Sequence, residues 1–177
     1  ASHGRSALLS LAADWEVTAG RAGETPADTQ GRTWAAIPLP ASLHTWMRDG
    51  EPWVWIRKDF TPAPLDPDAT WGLYLGRISM ADQVWLNGRL IGTHGRPGKD
   101  FWSVWNDGRF FTLPWEALSA TGLNRLEILI FGAGEAGLAG PAAVGSVAAV
   151  RDIARSDSFW NSEINALVAF FLFLMAL

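Results

Sequence analysis

Apolar residues along most of this chain recur in short alternating runs, not at helical spacing. Trp53–Phe60 reads Trp-Val-Trp-Ile-Arg-Lys-Asp-Phe, aromatic and β-branched and bounded by Pro52 and Pro62, which predicts a strand. Residues 71–75 place Trp71, Leu73 and Leu75 on one face of another. Val84-Trp85-Leu86 and Arg89-Leu90-Ile91 flank Asn87-Gly88, a pair that tolerates the positive φ of a type I′ turn. This predicts a two-residue hairpin, with Asn87 and Gly88 as structural turn residues. Residues 110–113 form a further predicted strand, followed by a single helical turn opened by Pro114. Leu126, Ile128 and Ile130 alternate with Arg125, Glu127 and Leu129, the signature of a half-buried strand. Residues 147–150 are read as the last strand, and 20–31 and the Gly/Ala-rich 132–145 as loops. Short strands punctuated by Gly and Pro, without a long helix before the end, predict an all-β jelly-roll sandwich. No repeat with a period of about 20–50 residues is visible.

The C-terminal stretch differs in kind. Every residue from 167 to 177 is apolar, and the run begins effectively at Ile164. A spanning helix needs about 20 mostly apolar residues, so the stretch reads as the start of a transmembrane helix. Trp160 lies where an aromatic interface anchor would sit, and Asn161, Ser162 and Glu163 supply a polar helix start. Leu8, Leu9 and Leu11 make too short a run for a signal peptide. The expected division is a sandwich over 1–156 and the membrane helix from 157 to 177.

Composition narrows the chemistry. Hydrophobic residues at 49% and charged residues at 18% exclude intrinsic disorder. Eighteen acidic against 14 basic residues, net −4, give no basic face for a nucleic acid. The absence of cysteine excludes disulfides, zinc–thiolate sites and cysteine nucleophiles. Eleven Trp against one Tyr leave two uses open, core packing and a stacking surface for ligand. The string Gly132-Ala133-Gly134-Glu135-Ala136-Gly137 follows a strand and has Asp152 about 20 residues on, as a dinucleotide-binding fingerprint asks. Its helix would run through Gly140-Pro141, however, so it reads as loop. His3, His44 and His94 lack metal-ligand spacing, and Asp66 and Asp68 read as a solvated loop, so neither cofactor nor metal is expected. His94 is read as capping the hairpin exit. The carboxylates Asp59, Asp82, Asp100, Asp107, Glu116 and Glu127 stand in no glycosidase-like context, and no Gly-x-Ser-x-Gly elbow occurs. Catalysis by this chain is not expected.

The order of Trp55-Ile56-Arg57-Lys58-Asp59-Phe60, Leu75-Gly76-Arg77-Ile78, Ala81-Asp82-Gln83-Val84-Trp85-Leu86-Asn87-Gly88 and Ile91-Gly92-Thr93-His94 carries a resemblance. With Asn124-Arg125-Leu126-Glu127-Ile128 as the closing strand, it resembles the galactose-binding-like jelly roll of family 2 glycoside hydrolases. The likeness runs from about residue 34 to 150 and departs after Gly95, where Arg96-Pro97-Gly98-Lys99-Asp100-Phe101-Trp102 replaces paired glycines. In that family the catalytic acids belong to a separate barrel domain. A jelly roll before a membrane stretch is similar, further, to the sensor region of bacterial membrane signalling proteins. Among them are the seven-transmembrane receptors with diverse intracellular signalling modules, whose outputs include diguanylate cyclases and histidine kinases. That resemblance implies a periplasmic sensor domain held at the inner membrane, with a homodimer among its partner states. The alternative it implies is the accessory carbohydrate-binding domain of a glycoside hydrolase.

If a small-molecule or carbohydrate ligand binds, the segment 95–109 concentrates the suitable groups. Trp102 and Trp105 would stack on it, and Arg57, Asn106 and Arg109 would anchor its polar groups. The competing reading makes both Trp core plugs and gives Arg57 a structural partner in Asp82 or Glu127.

Overall fold

The computed structural model describes residues 8–62, 69–97, 100–119, 122–132 and 136–160. Its plan follows from alternation in one strand, β5 (Trp53–Phe60). Val54, Ile56 and Phe60 point into the main core, whereas Trp53 and Trp55 form a second cluster with Leu129 on the opposite face. The remaining strands are β1 (Leu8–Ser10), β2 (Trp15–Ala19), β3 (Ala35–Ile37), β4 (Ala41–Ser42), β6 (Trp71–Ile78), β7 (Ala81–Leu86) and β8 (Arg89–His94). They are followed by β9 (Gly108–Leu113), β10 (Asn124–Phe131), β11 (Gly137–Ala139) and β12 (Ala143–Ser146), then one helix, α1 (Val147–Ser158). One sheet has the order β3-β2-β5-β10-β7-β8; the other runs β1-β12-β6-β11-β4, with β9 also on β6. Every pairing is antiparallel. The described chain is therefore an all-β sandwich with a helix on one outer face.

Two regions differ from the sequence reading. Residues 147–150 are the first turn of α1, not a strand. Val147 and Val150 stand three apart, a helical spacing, and Val150 is fully buried. Ser146 caps the helix by accepting a bond from the Ala149 N–H at 3.4 Å. The stretch 132–145, expected as loop, contains β11 and β12, which pair with β6. Small residues allow this: Gly76, at φ +62°, passes so close to the Ala139 carbonyl that a Cβ would sit 2.3 Å from its oxygen. No helix follows the glycine string, since β11 begins at Gly137.

Helix α1 covers the outer face of the β6 sheet and runs in the direction of β6. Val147 and Val150 lie over Gly72, while Asp157 accepts bonds from Tyr74 Oη at 2.7 Å and Arg77 Nη1 at 3.1 Å. The helix therefore ends where β6 ends, beside the Ser79-Met80 turn into β7. We call this the near end; the Asn87-Gly88 hairpin marks the far end. Among the described residues no helix is long and apolar enough to cross a membrane. The apolar run 164–177 lies outside the described residues.

Candidate functional site

The outer face of the β5 sheet carries no helix. Its registers line up one row of side chains across four strands: Glu16 on β2, Arg57 on β5, Glu127 on β10 and Trp85 on β7. Their parity is opposite to that of the core residues Val17, Ile56, Ile128 and Val84, so strand alternation alone sets them outward. One row toward the far end, Arg125 donates from Nε and Nη2 to both oxygens of Asp59 at 2.7 Å each.

The segment between β2 and β3 folds over this row as a wall. A 3₁₀ turn, Pro26–Thr29, is closed by Thr25, whose N–H and hydroxyl both donate to Asp28 Oδ2 at 2.8 Å. Glu24 ties the wall down, accepting from Arg32 Nη2 at 2.5 Å and from Trp55 Nε1 at 2.9 Å. The wall and sheet enclose a cleft of about 530 Å³ lined by Gln30, Trp34, Arg57, Trp85, Arg125 and Glu127, among others. The Arg57 guanidinium lies 4.1 Å from the Trp34 ring centroid and donates to Glu16 at 2.6 Å. Trp85 Nε1 is buried and finds no hydrogen-bond partner.

The electrostatics are lopsided. Glu127 is 5% exposed, and burial raises its pKa above the ordinary value even though Arg125 and Arg57 pull it back. The bidentate bond from Arg125 holds Asp59 below its ordinary value. For Glu24, burial acts upward, but the bonds from Arg32 and Trp55 outweigh it and the pKa is lowered. Arg32, Arg57 and Arg125 thus each have a carboxylate, in Glu24, Glu16 and Asp59, and Glu127 adds a further acid. With its cations already matched, the cleft has no surplus positive charge for an anion. It offers indole rings and the polar side chains of Gln30 and Glu127, groups that suit a ligand rich in hydroxyls.

The structure does not bring the five candidate ligand residues together. Arg57 lines the cleft; its partner is Glu16, neither Asp82 nor Glu127, because it shares the outward parity of Trp53 and Trp55. Trp102 and Trp105 are 66% and 61% exposed at the near end, so neither plugs the core. Asn106 borders a separate small hollow beside Tyr74, Arg77 and Asp157. Arg109, expected as a ligand anchor, is instead fully buried. Its Nε donates to Asp82 at 2.6 Å, and its Nη atoms donate to the carbonyls of Ile78, Val104 and Asp107. Asp82 accounts also for His94, whose Nδ1 lies 3.3 Å from its carboxylate.

Asn87 (φ 51°) and Gly88 (φ 78°) form the β7–β8 turn. The Asn87 amide donates to the Ala117 carbonyl at 2.7 Å and to Asn124 Oδ1 at 2.9 Å, and its oxygen accepts from the Arg125 N–H at 2.8 Å. Gly88 borders the cleft. Sequence reasoning missed Trp34, Trp85 and Glu127 as site residues. The signal available was parity: Trp55, Trp85 and Glu127 occupy the positions that alternate with core residues. Among the described residues, no group of three His, Asp or Glu side chains is placed to hold a metal.

No protein-family model matches the chain, and no curated protein sequence matches it. Solved structures do. A glycosyl hydrolase family 2 member from Bacteroides cellulosilyticus superposes with a TM-score of 0.59 at 14% identity, over 78% of this chain and 20% of that enzyme. The β-glucuronidase from Ruminococcus gnavus, in complex with a C6-substituted uronic isofagomine, gives a TM-score of 0.62 at 12% identity. That match covers 82% of this chain and 30% of the glucuronidase, so the chain spans less than a third of either enzyme. At such identity the likeness is one of fold: this chain is a β-sandwich resembling the β-domains of family 2 glycosyl hydrolases.

Proposed function

We propose that this chain is a binding module for a neutral, hydroxyl-rich ligand of the carbohydrate type, seated in the far-end cleft. The observation that carries the reading is the lining of that cleft, where the Trp34 and Trp85 indoles stand with Glu127 and with arginines already matched by acids. Indole rings stack on the C–H face of a sugar, while Gln30 and Glu127 suit its hydroxyls. In this reading the sandwich is the extracytoplasmic sensing domain of a bacterial membrane signalling protein, in the periplasm and tethered by the apolar run that follows α1. Residues further along the full-length protein carry the output, and this chain catalyses nothing. The likeness to hydrolase β-domains supports a second reading, an accessory carbohydrate-binding domain of a glycoside hydrolase, using the same cleft. Further hydrophobic spans after Leu177 favour the sensor; a barrel with two catalytic acids favours the enzyme.

Titration calorimetry against neutral mono- and oligosaccharides tests the cleft. Trp34→Ala should weaken binding roughly two- to tenfold, the worth of one aromatic stack, with a lower melting temperature because Trp34 also packs on the Trp53, Trp55 and Leu129 cluster. Binding unchanged in that variant removes the ligand from this cleft.

A further inference from the structure

The near end of the sandwich carries aromatic residues for which neither the core nor the cleft has a use. Trp102 is 66% exposed, Trp105 61% and Phe101 45%, all in the β8–β9 connection. At the end of α1, Phe159 is 43% and Trp160 63% exposed, their rings meeting edge to face at 5.8 Å. Large apolar side chains gathered at one end of a domain mark an interaction surface.

The backbone beneath them is tightly held. Arg96 and Trp102 exchange N–H···O bonds of 2.8 and 2.9 Å, and the Val104 N–H donates to the Met80 carbonyl at 3.2 Å. Buried Arg109 holds the carbonyls of Val104 and Asp107. A loop bonded at each of these points presents its Trp side chains outward by construction. The two aromatic groups are neighbours as well: Asn106, Asp107 and Gly108 enclose one hollow with Asp157 and Ser158. Because α1 runs along β6 toward the β6–β7 turn, it delivers the chain at this same end, and the sequence then continues into the all-apolar stretch 167–177.

We propose that Trp102 and Trp105, with Phe159 and Trp160, seat the near end of the sandwich in the headgroup layer of a lipid bilayer. Indole rings favour that layer because one edge is apolar and the N–H can stay hydrated. A bilayer is the occupant because the chain leaves α1, among the exposed rings, toward a segment whose composition suits hydrocarbon. The proposal rests on reading 164–177 as a membrane span, and it has a geometric corollary. The cleft opens beside the Asn87-Gly88 hairpin at the far end, so a domain seated this way holds its ligand site away from the membrane.

The chain lacks cysteine, so single-cysteine nitroxide labels report without background. Three sites suffice in the full chain in nanodiscs of phosphatidylcholine and phosphatidylglycerol: Asn106→Cys at the near end, Arg89→Cys at the far end and Phe171→Cys in the apolar run. The expected result is collision with oxygen over collision with a water-soluble nickel chelate higher at 106 than at 89, at a depth shallower than 171. Adding Trp102→Ala and Trp105→Ala to the Asn106→Cys chain should shift its label back toward the value at 89. A label at 106 as open to water as that at 89, with 171 reading hydrocarbon, overturns the seating and leaves the span intact. Label 171 reading water overturns the span and the seating that rests on it. A label at 106 that is immobilised without gaining oxygen access reports a protein contact, such as a second copy, and overturns the proposal.

Discussion

Replacing Arg109 with Met separates a structural role from a binding one. The guanidinium is fully buried and donates to Asp82, Ile78, Val104 and Asp107. The Asp82 side chain is equally inaccessible, so the substitution strands a carboxylate whose remaining partner is His94 at 3.3 Å. Breaking one half of a buried pair costs about 3–5 kcal/mol. With a urea m-value of about 2 kcal/mol/M, the unfolding midpoint should fall by roughly 2 M, followed by Trp fluorescence. The double variant Asp82→Leu/Arg109→Met leaves no orphaned charge and should regain most of that loss. The refuting result is a change below about 1 kcal/mol in Arg109→Met together with loss of ligand affinity, which would return Arg109 to the ligand.

Gly88→Val should cost about 1–2 kcal/mol in a thermal melt, because φ is +78° there while the space around a Cβ is open; an unchanged melt with lost binding would contradict a turn role. Trp85→Phe removes the unpartnered buried donor, so the urea midpoint should hold or rise, by up to about 1–3 kcal/mol of stability. Glu127 has its native pKa above the ordinary 4.5, so the native state binds its proton more tightly than the unfolded chain. The stability it contributes is complete below pH 4.5 and is lost as pH rises through the raised value. Glu127→Gln should therefore be the more stable protein at neutral pH, with the gap in urea midpoints closing below pH 4.5. Trp105→Ala should change stability by no more than about 0.5 kcal/mol, since the side chain is 61% exposed; a core-sized loss in a urea melt would refute its placement.

The sandwich was legible where strands obeyed simple alternation. Trp53–Phe60 is found with the bounds its flanking prolines suggest, and Asn87-Gly88 turns where two apolar runs meet it. Strands built of small residues were not legible: Gly137–Ala139 has no β-branched or aromatic residue and Ala143–Ser146 has only Val144, so pairing with β6, β4 and β1 is what makes them strands. Val147 and Val150 misled because β-branched residues suit strands, although a serine cap and burial against Gly72 decide for helix. For the site, local density of Trp, Arg and Asn in 95–109 drew attention to the near end. The cleft assembles instead from residues spread from Thr25 to Glu127, brought together by cross-strand register, which a linear reading does not contain.

The bonds that Asp157 accepts from Tyr74 and Arg77 tie the last turn of α1 to the sheet, with the Asp157 side chain largely enclosed. A helix of 12 residues, about 18 Å long, is thereby clamped at both ends of its contact with β6, by Val147 and Val150 over Gly72 at one and by Asp157 at the other. Among the described residues no slack hinge separates the sandwich from α1. Torque or tilt applied to the sandwich therefore carries α1 with it as one body, with the carboxylate clamp the contact that resists peeling of its last turn.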